Sequence, residues 1–287
     1  MEEACGLQRI SIVTPNFNMA QYLPETMDSV LVNLRHGDEY FIIDGGSTDG
    51  SVETIKKYEK CLSYWVSEPD HGYADALAKG FSRATGDILC WINAGDLLLP
   101  GALDAARKAM ADTGADMVFG DDFYIEADGR VIFFSRGYVK DLQQSMLYGG
   151  WTPLQDACFW RRELYERIGG MNRALKYAAD FELFLRMALH GTCQYVPVTF
   201  SAFRRHLGQK SISGADAYQR ERVEIRRREL SQVPGSALLK SLDLFWNGLV
   251  IRWRAHVRQH QWRRPDLVGR PVSEFRCGQY WPPAGMV

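Results

Sequence analysis

Three short polar runs carry residue types suited to one piece of chemistry. Thr14-Pro15-Asn16 ends the β-rich run RISIVT. Asp44-Gly45-Gly46-Ser47-Thr48-Asp49 follows EYFII, and Asn93-Ala94-Gly95-Asp96 follows DILCWI. A carboxylate just after a parallel strand can accept a hydrogen bond from a base N–H or a ribose hydroxyl. Glycines beside it let a ligand approach the backbone closely. A carboxylate at the third strand end suits a divalent cation, and a cation there would bridge a diphosphate. Taken singly, each run is ordinary turn or helix-capping chemistry. Three of them in succession read as a nucleotide site. GGSTDG is not G-x-G-x-x-G, so the dinucleotide fingerprint is missing, as are the P-loop, G-x-S-x-G and H-E-x-x-H patterns.

The elements that must position these runs follow from periodicity. Strands are expected at 9–14, 39–44, 62–66, 87–93 and 116–120. Leu23, Met27, Val30, Leu31 and Leu34 mark a helix between the first two strands. Residues 51–60, Tyr73 to Ala84, and Leu103, Ala106 and Met110 mark three more. Strand–helix alternation at this spacing predicts an α/β fold with a parallel sheet covered by helices on both faces. In such sheets ligands bind outside the carboxyl ends of the strands. Beyond 120 the pattern changes. A hairpin is expected at 124–134 around Asp128-Gly129, with helices at 161–168 and 181–190. A strand is expected at 193–203, with Pro197 at an edge or bulge. From about 214 the chain reads as helical, basic and aromatic, and after Pro265 as irregular.

The 287 residues are 46% hydrophobic and 24% charged, as in ordinary globular proteins. The net charge of −1 argues against a whole-chain grip on nucleic acid. The balance is uneven, at −10 over 1–203 and +9 over 204–287. The six cysteines form no C-x-x-C pair and fit a reducing compartment. MEEACGLQR reads as neither a leader nor an anchor, and no transmembrane run is expected. Asp180 precedes Phe181, Phe184, Leu185 and Ala188, and by itself reads as a helix N-cap.

Taken in order, the segments SIVTPNFNMAQYLPETMDSVL, FIIDGGSTDGS and SEPDHGYADALAKGFSRATGDILCWINAGDLLLPGAL carry a family resemblance. GDDFYIEADGRVI, LQDACFWRRELYERIGGMN, YAADFELFLRMALHG and FRRHLGQKSIS extend it. Over about 9–212 the chain resembles the family-2 inverting glycosyltransferases of GT-A fold. The resemblance implies that Thr14, Pro15 and Asn16 line a nucleotide pocket. It implies that Asp44 binds the base, that Asp49 shapes the same loop, and that Asp75 and Lys79 lie along the diphosphate and sugar. Asn93 and Asp96 match the family's D-x-D region. Asp96 would be the metal ligand, and Asn93 stands where many members have Asp. Asp180 matches the catalytic base, with Glu182 as a fallback. Gln155 and Asp156 match a stretch facing the acceptor. His206 matches a basic loop near the diphosphate, with Arg204, Arg205 and Lys210 adding charge. His71 is assigned to loop or capping work.

The implied cofactor is Mg2+ or Mn2+. The implied donor is a nucleotide-diphosphate-sugar, with UDP ahead of GDP or dTDP. The acceptor would be a saccharide or lipid-linked hydroxyl in bacterial cell-surface polysaccharide, lipopolysaccharide or glycolipid synthesis, on the cytoplasmic side of the membrane. The expected organisation is a GT-A domain over 1–212 and a basic helical extension over 213–287. Trp246, Leu249, Val250 and Trp253 share one helical face with arginines interleaved, so residues 236–264 either dock on an anionic membrane or pack on the core. Two other readings stand beside this one. A sugar-phosphate nucleotidyltransferase would need a glycine- and cation-containing loop after the first strand, and PNFNMAQYLP has neither. A non-catalytic nucleotide-sugar-binding protein would fit the neutral Asn93, but not the pairing of Asp96 with Asp180.

Overall fold

The structure is a computed structural model that describes residues 8–149, 151–206, 209, 214–232 and 264–278. The first half alternates as expected. β1 (Ile10–Asn16) leads to α1 (Leu23–Leu31), β2 (Glu39–Asp44) to α2 (Ser51–Tyr58), and β3 (Tyr64–Ser67) to α3 (Tyr73–Phe81). Then come β4 (Ile88–Trp91), the two-residue β5 (Leu97–Leu98) and α4 (Ala102–Thr113). These four main strands pair in parallel in the order β3-β2-β1-β4. The chain winds outward from β1 to β3 and returns to the other side of β1. The crevice at this switch point, between the carboxyl ends of β1 and β4, is where such a sheet takes a ligand.

The second half is mixed rather than parallel. It contains β6 (Met117–Ile125), β7 (Val131–Ser135), α5 (Leu142–Gly149), β8 (Cys158–Arg161) and α6 (Arg162–Arg167). α7 (Ala179–His190), β9 (Cys193–Arg204) and α8 (Ala215–Gln232) complete it. β8 inserts antiparallel between β4 and β6, β9 lies parallel to β6, and β5 pairs antiparallel with β9. The expected 116–120 strand and the first arm of the expected hairpin are one strand, β6, and β7 is the returning arm. Phe119 to Asp121 of β6 span Tyr195 to Thr199 of β9, so Pro197 sits exposed in a bulge, where its missing N–H costs no ladder bond. α5 was not legible from periodicity.

Two apolar layers sandwich the sheet. On one face Leu23, Met27 and Val30 of α1 and Leu103, Ala106 and Met110 of α4 cover Ile10, Ile12 and Ile42. On the other, α3, α5, α6 and α7 cover Val13, Leu89 and Trp91. α3 comes close because Gly80 has no side chain: a Cβ there would lie 2.5 Å from Val13 Cγ1. α7 is seated by its aromatic face. Phe184 stacks on Trp91 at 5.5 Å, and Trp91 meets Trp160 edge-on at 5.3 Å. A third cluster joins Phe123, Val131 and Phe134 of the hairpin to Leu267, Val272 and Phe275. Part of the expected 213–287 extension therefore shares a core with the hairpin. The segment 233–263, which holds nearly all of the expected membrane-contact stretch, lies outside the described residues.

Candidate active site

The crevice predicted by topology is a cavity of about 900 Å3. β1 contributes Pro15 and Asn16, followed by the loop residue Phe17. β4 contributes Trp91, followed by Asn93, Gly95 and Asp96. α7 contributes Asp180, and the segment after β9 contributes Arg205 and His206. The far wall comes from α8, through Tyr218 and Gln219. Of the residues singled out in the sequence, Pro15, Asn16, Asn93, Asp96, Gln155, Asp180, Arg205 and His206 meet on this one cavity. Thr14, Asp44, Asp49, Asp75, Lys79 and Asp156 do not line it.

Asp44 is fully buried at the end of β2. One oxygen accepts from Asn16 Nδ2 (2.6 Å) and Ser47 Oγ (2.5 Å). The other accepts from Ser67 Oγ (2.6 Å), Ser47 N (2.9 Å) and Gly46 N (3.1 Å). Burial opposes its ionisation, but these bonds outweigh burial and hold its carboxyl below the usual range. Asp44 thus organises the 45–47 loop, and Gly45 presents that loop to the cavity. Asp49 ties the neighbouring turn to Ala20 N (2.8 Å) and Ser51 Oγ (2.6 Å). The Thr14 hydroxyl lies buried, 3.1 Å from that of Tyr40. Asp75 is buried and accepts from Arg173 Nε (2.6 Å) and His71 N (3.2 Å), while Lys79 bonds Glu68 at 2.7 Å. His71 does its loop work through its backbone.

Asp96 is 3% exposed. Its Oδ1 accepts from Arg204 N (3.0 Å), and its Oδ2 from Asn93 Nδ2 (3.2 Å) and Gln155 Nε2 (3.3 Å). Gly95, at φ 114°, makes the turn between Asn93 and Asp96 in a conformation that a side chain would strain. Burial and the neighbouring Asp156 push the Asp96 carboxyl well above the carboxylate range. Asp156 is pushed up to about 7 by burial. Asp122, which accepts from Ser201 Oγ (3.0 Å), is raised well above the ordinary value by burial and by Asp156. Three buried carboxyls therefore adjoin the cavity floor, and mutual repulsion favours retained protons among them. Asp122 lies in the GDDFYIEADGRVI segment and was not singled out there.

A divalent cation fits this wall. Asp96 is a carboxylate whose charge burial disfavours and a cation would favour, and the His206 imidazole stands on the same cavity. Among the described residues no group of three or more His, Cys, Asp or Glu is arranged to hold a metal alone. A Mg2+ or Mn2+ ion held there would need further oxygen ligands from outside this set of residues. The Arg204 guanidinium is buried on Gly95 O (2.8 Å), Ala127 O (2.7 Å) and Glu25, so it braces the turn, and its charge acts on Asp96 and His206. Lys210 lies outside the described residues.

Asp180 occupies the first turn of α7. Its Oδ2 accepts from the Tyr218 hydroxyl at 3.4 Å, and its Oδ1 has no hydrogen-bond partner among the described residues. Burial raises its carboxyl to about 6, and the Phe181 N–H and the Arg222 guanidinium pull against that rise. The Tyr73 hydroxyl ties the helix entry together: it donates to Tyr177 O (2.9 Å) and accepts from Ala179 N (2.8 Å). Glu182, the fallback base, is paired to Arg186 (2.6 Å) and Arg228 (2.9 Å) and is absent from the cavity wall. Sequence reasoning missed Phe17, Tyr73 and Tyr218. Phe17 was the most findable of these, being an aromatic in a strand-end loop and 61% exposed.

Comparison with known proteins agrees with this fold. Residues 11–169 match the model of glycosyl transferase family 2. An uncharacterised glycosyltransferase of Mycobacterium tuberculosis is 33% identical over 195 residues, covering 66% of this chain and 71% of the relative. A PGL/p-HBAD biosynthesis glycosyltransferase of the same species is 28% identical, covering 61% and 68%. Among solved structures, S. aureus TarS residues 1–349 in complex with UDP-GlcNAc superposes with a TM-score of 0.64 at 15% identity, covering 82% of this chain and 70% of that one. The mannosyltransferase PcManGT from Pyrobaculum calidifontis, in complex with GDP-Man and Mn2+, gives 0.58 at 16%, covering 91% and 78%. At these identities the structural likeness establishes the fold.

Proposed function

This chain belongs to glycosyl transferase family 2, and from that premise we propose that it moves one sugar from a nucleotide-diphosphate-sugar to an acceptor hydroxyl with inversion. The observation that carries the reading is Asp180. It is a half-buried carboxyl on the cavity wall whose Oδ1 has no hydrogen-bond partner among the described residues, and it shares that cavity with the ends of β1 and β4. The Asp180 carboxylate takes the proton of the acceptor hydroxyl. The acceptor oxygen forms its bond to the anomeric carbon, and the bond from that carbon to the diphosphate oxygen breaks on the opposite face. The electron pair leaves with the diphosphate. Asp96 and His206, which line the same cavity, would hold Mg2+ or Mn2+, which when bound supplies charge neutralisation at the diphosphate. Pro15, Asn16 and the 45–47 loop receive the nucleotide, and Phe17 offers a face for its base. Asp44 and Asp49 act by fixing that loop, Thr14 by packing behind it, and Asp75 and Lys79 by fixing the start of α3.

A UDP sugar is the donor tested first, with GDP and dTDP sugars next. The acceptor falls in the class of saccharide or lipid-linked hydroxyls, a class supported by the biosynthetic name of one relative. No helix among the described residues is long and apolar enough to cross a membrane. A peripheral membrane contact through residues 236–264 belongs to the same proposal.

Two experiments test the reading. A thermal-shift panel of UDP, GDP, dTDP, CMP and ADP, with and without Mn2+, should show stabilisation by one diphosphate that grows with Mn2+. No shift with any nucleotide would count against a donor site. Asp180→Asn should lower transfer by about 100-fold or more while leaving diphosphate affinity within about twofold. Undiminished transfer would remove Asp180 from the base role.

A further inference from the structure

α7 begins without a cap of its own: Ala178 stands at the N-cap and offers no side-chain acceptor. The three amides that lead into the helix are instead met from α8, 43 to 45 residues further along. Glu221 Oε2 accepts from Ala178 N at 2.8 Å and Tyr177 N at 3.0 Å, and Oε1 accepts from Lys176 N at 3.3 Å. A carboxylate that receives several backbone N–H groups makes charge-assisted bonds, stronger than neutral ones, and fixes the backbone that donates them. Asp180 lies two residues beyond this clamp. The same helix reaches Asp180 directly through Tyr218 and lays the Arg222 guanidinium 4.6 Å from the Phe181 ring centroid. α8 lies beyond the family-matched segment 11–169, so the clamp is not part of that match.

We propose that Glu221 is a positioning residue for the acceptor-hydroxyl base, holding the 176–178 turn so that Asp180 projects into the cavity at a fixed height. This rests on the reading of Asp180 given above. A base displaced by about 1 Å loses much of its rate without loss of donor binding, because proton transfer needs hydrogen-bond reach and donor affinity does not.

The test uses the full chain as wild type, Glu221→Ala, Glu221→Gln, Asp180→Asn and the Asp180→Asn/Glu221→Ala double variant. The probe is UDP-N-acetylglucosamine with Mn2+, water serving as acceptor and UDP release as the readout. Hydrogen exchange of the 174–184 peptide and UDP affinity are read alongside. Glu221→Ala should lower kcat by about 10- to 100-fold with KM and UDP affinity within about twofold. It should also speed exchange over 174–184 by about tenfold. Glu221→Gln retains an acceptor oxygen for the Tyr177 and Ala178 amides and should recover to within about threefold of wild type. In the Asp180→Asn background, Glu221→Ala should cost nothing further.

Wild-type exchange in Glu221→Ala overturns the clamp whichever donor the chain uses. UDP affinity falling in step with rate overturns a positioning role in favour of a general structural one. An equal cost in both backgrounds shows that Glu221 does not act through Asp180. Wild-type turnover by Asp180→Asn is a separate result: it overturns the base reading, and the role of Glu221 with it.

Discussion

At the scale of single residues, the site is a set of carboxylates sorted by environment. Asp44 collects five hydrogen bonds and stays ionised, whereas Asp96 and Asp180 receive fewer bonds against their desolvation and are raised. A base must be deprotonated to act, so with Asp180 at about 6 the turnover rate should rise with pH through about 6 and level off above it. A rate flat between pH 5 and 7 would contradict that assignment. The same shift has a stability consequence. The folded Asp180 holds its proton up to about 6, whereas the unfolded chain loses it near 3.8. The native state therefore binds more protons in this window, and stability falls as pH rises through it. Above pH 6 the ionised carboxyl is a net cost even with Arg222 attracting it. Asp180→Asn should thus be more stable than wild type at pH 7.5 by about 1–3 kcal/mol, and less different at pH 4.5; urea titrations at the two pH values check this. Asn93→Asp would add a carboxylate beside Asp96 and Asp156. It should lower the melting temperature without metal and enlarge the Mn2+-induced shift. A smaller Mn2+ shift in that variant would place the cation elsewhere.

At the scale of elements, the first four strands and their helices were legible because each βα unit buries its pattern locally. Val13 and Ile12 alternate between the two faces of β1, and α1 and α4 show their stripes within a dozen residues. The closeness of α3 to β1 was not legible, since nothing in the sequence around Gly80 names Val13 as the atom it must avoid. Gly80→Ala sets two effects against each other. Helix propensity favours alanine by about 1 kcal/mol, while the 2.5 Å approach to Val13 forces overpacking at about 1–3 kcal/mol. The clash should win, giving a net loss that Val13→Ala partly relieves in the double variant; denaturant midpoints of the two singles and the double measure this coupling. β8 was legible as a strand but not in its direction, because antiparallel insertion between β4 and β6 depends on where the chain returns.

At the scale of the whole molecule, residues 264–278 do not stand apart from the sheet. Gly269 N bonds Val131 O at 2.8 Å, Val131 N bonds Arg270 O at 2.9 Å, and Val272 N bonds Gly129 O at 2.9 Å. Phe275 is fully buried and stacks on Phe123 at 4.9 Å. Phe275→Ala should cost about 3 kcal/mol in urea unfolding, with faster hydrogen exchange over 129–135. A cost under about 1 kcal/mol would mean that this segment packs only loosely. A chain cut after residue 212 would lose this packing together with α8, and with α8 the Tyr218 wall and the Glu221 clamp.

By itself the sequence determined the alternation of strands and helices over the first 120 residues and the strand ends at which polar groups gather. Through the ordered segments that resemble family 2, it also singled out Asp96 and Asp180 from 35 acidic residues. Those features are local, since periods of 2 and 3.6 and a turn after a strand are written within a few residues. Only the tertiary structure decided that Asp44 holds a loop, that Arg204 is spent on Gly95 and Glu25, and that Asp122 and Asp156 flank Asp96. It alone decided that Glu221 clamps the turn before Asp180. Each of these rests on partners brought together by folding, several of them more than 40 positions apart. Burial, which sets whether a carboxylate keeps its charge, belongs to the assembled fold and to no residue alone.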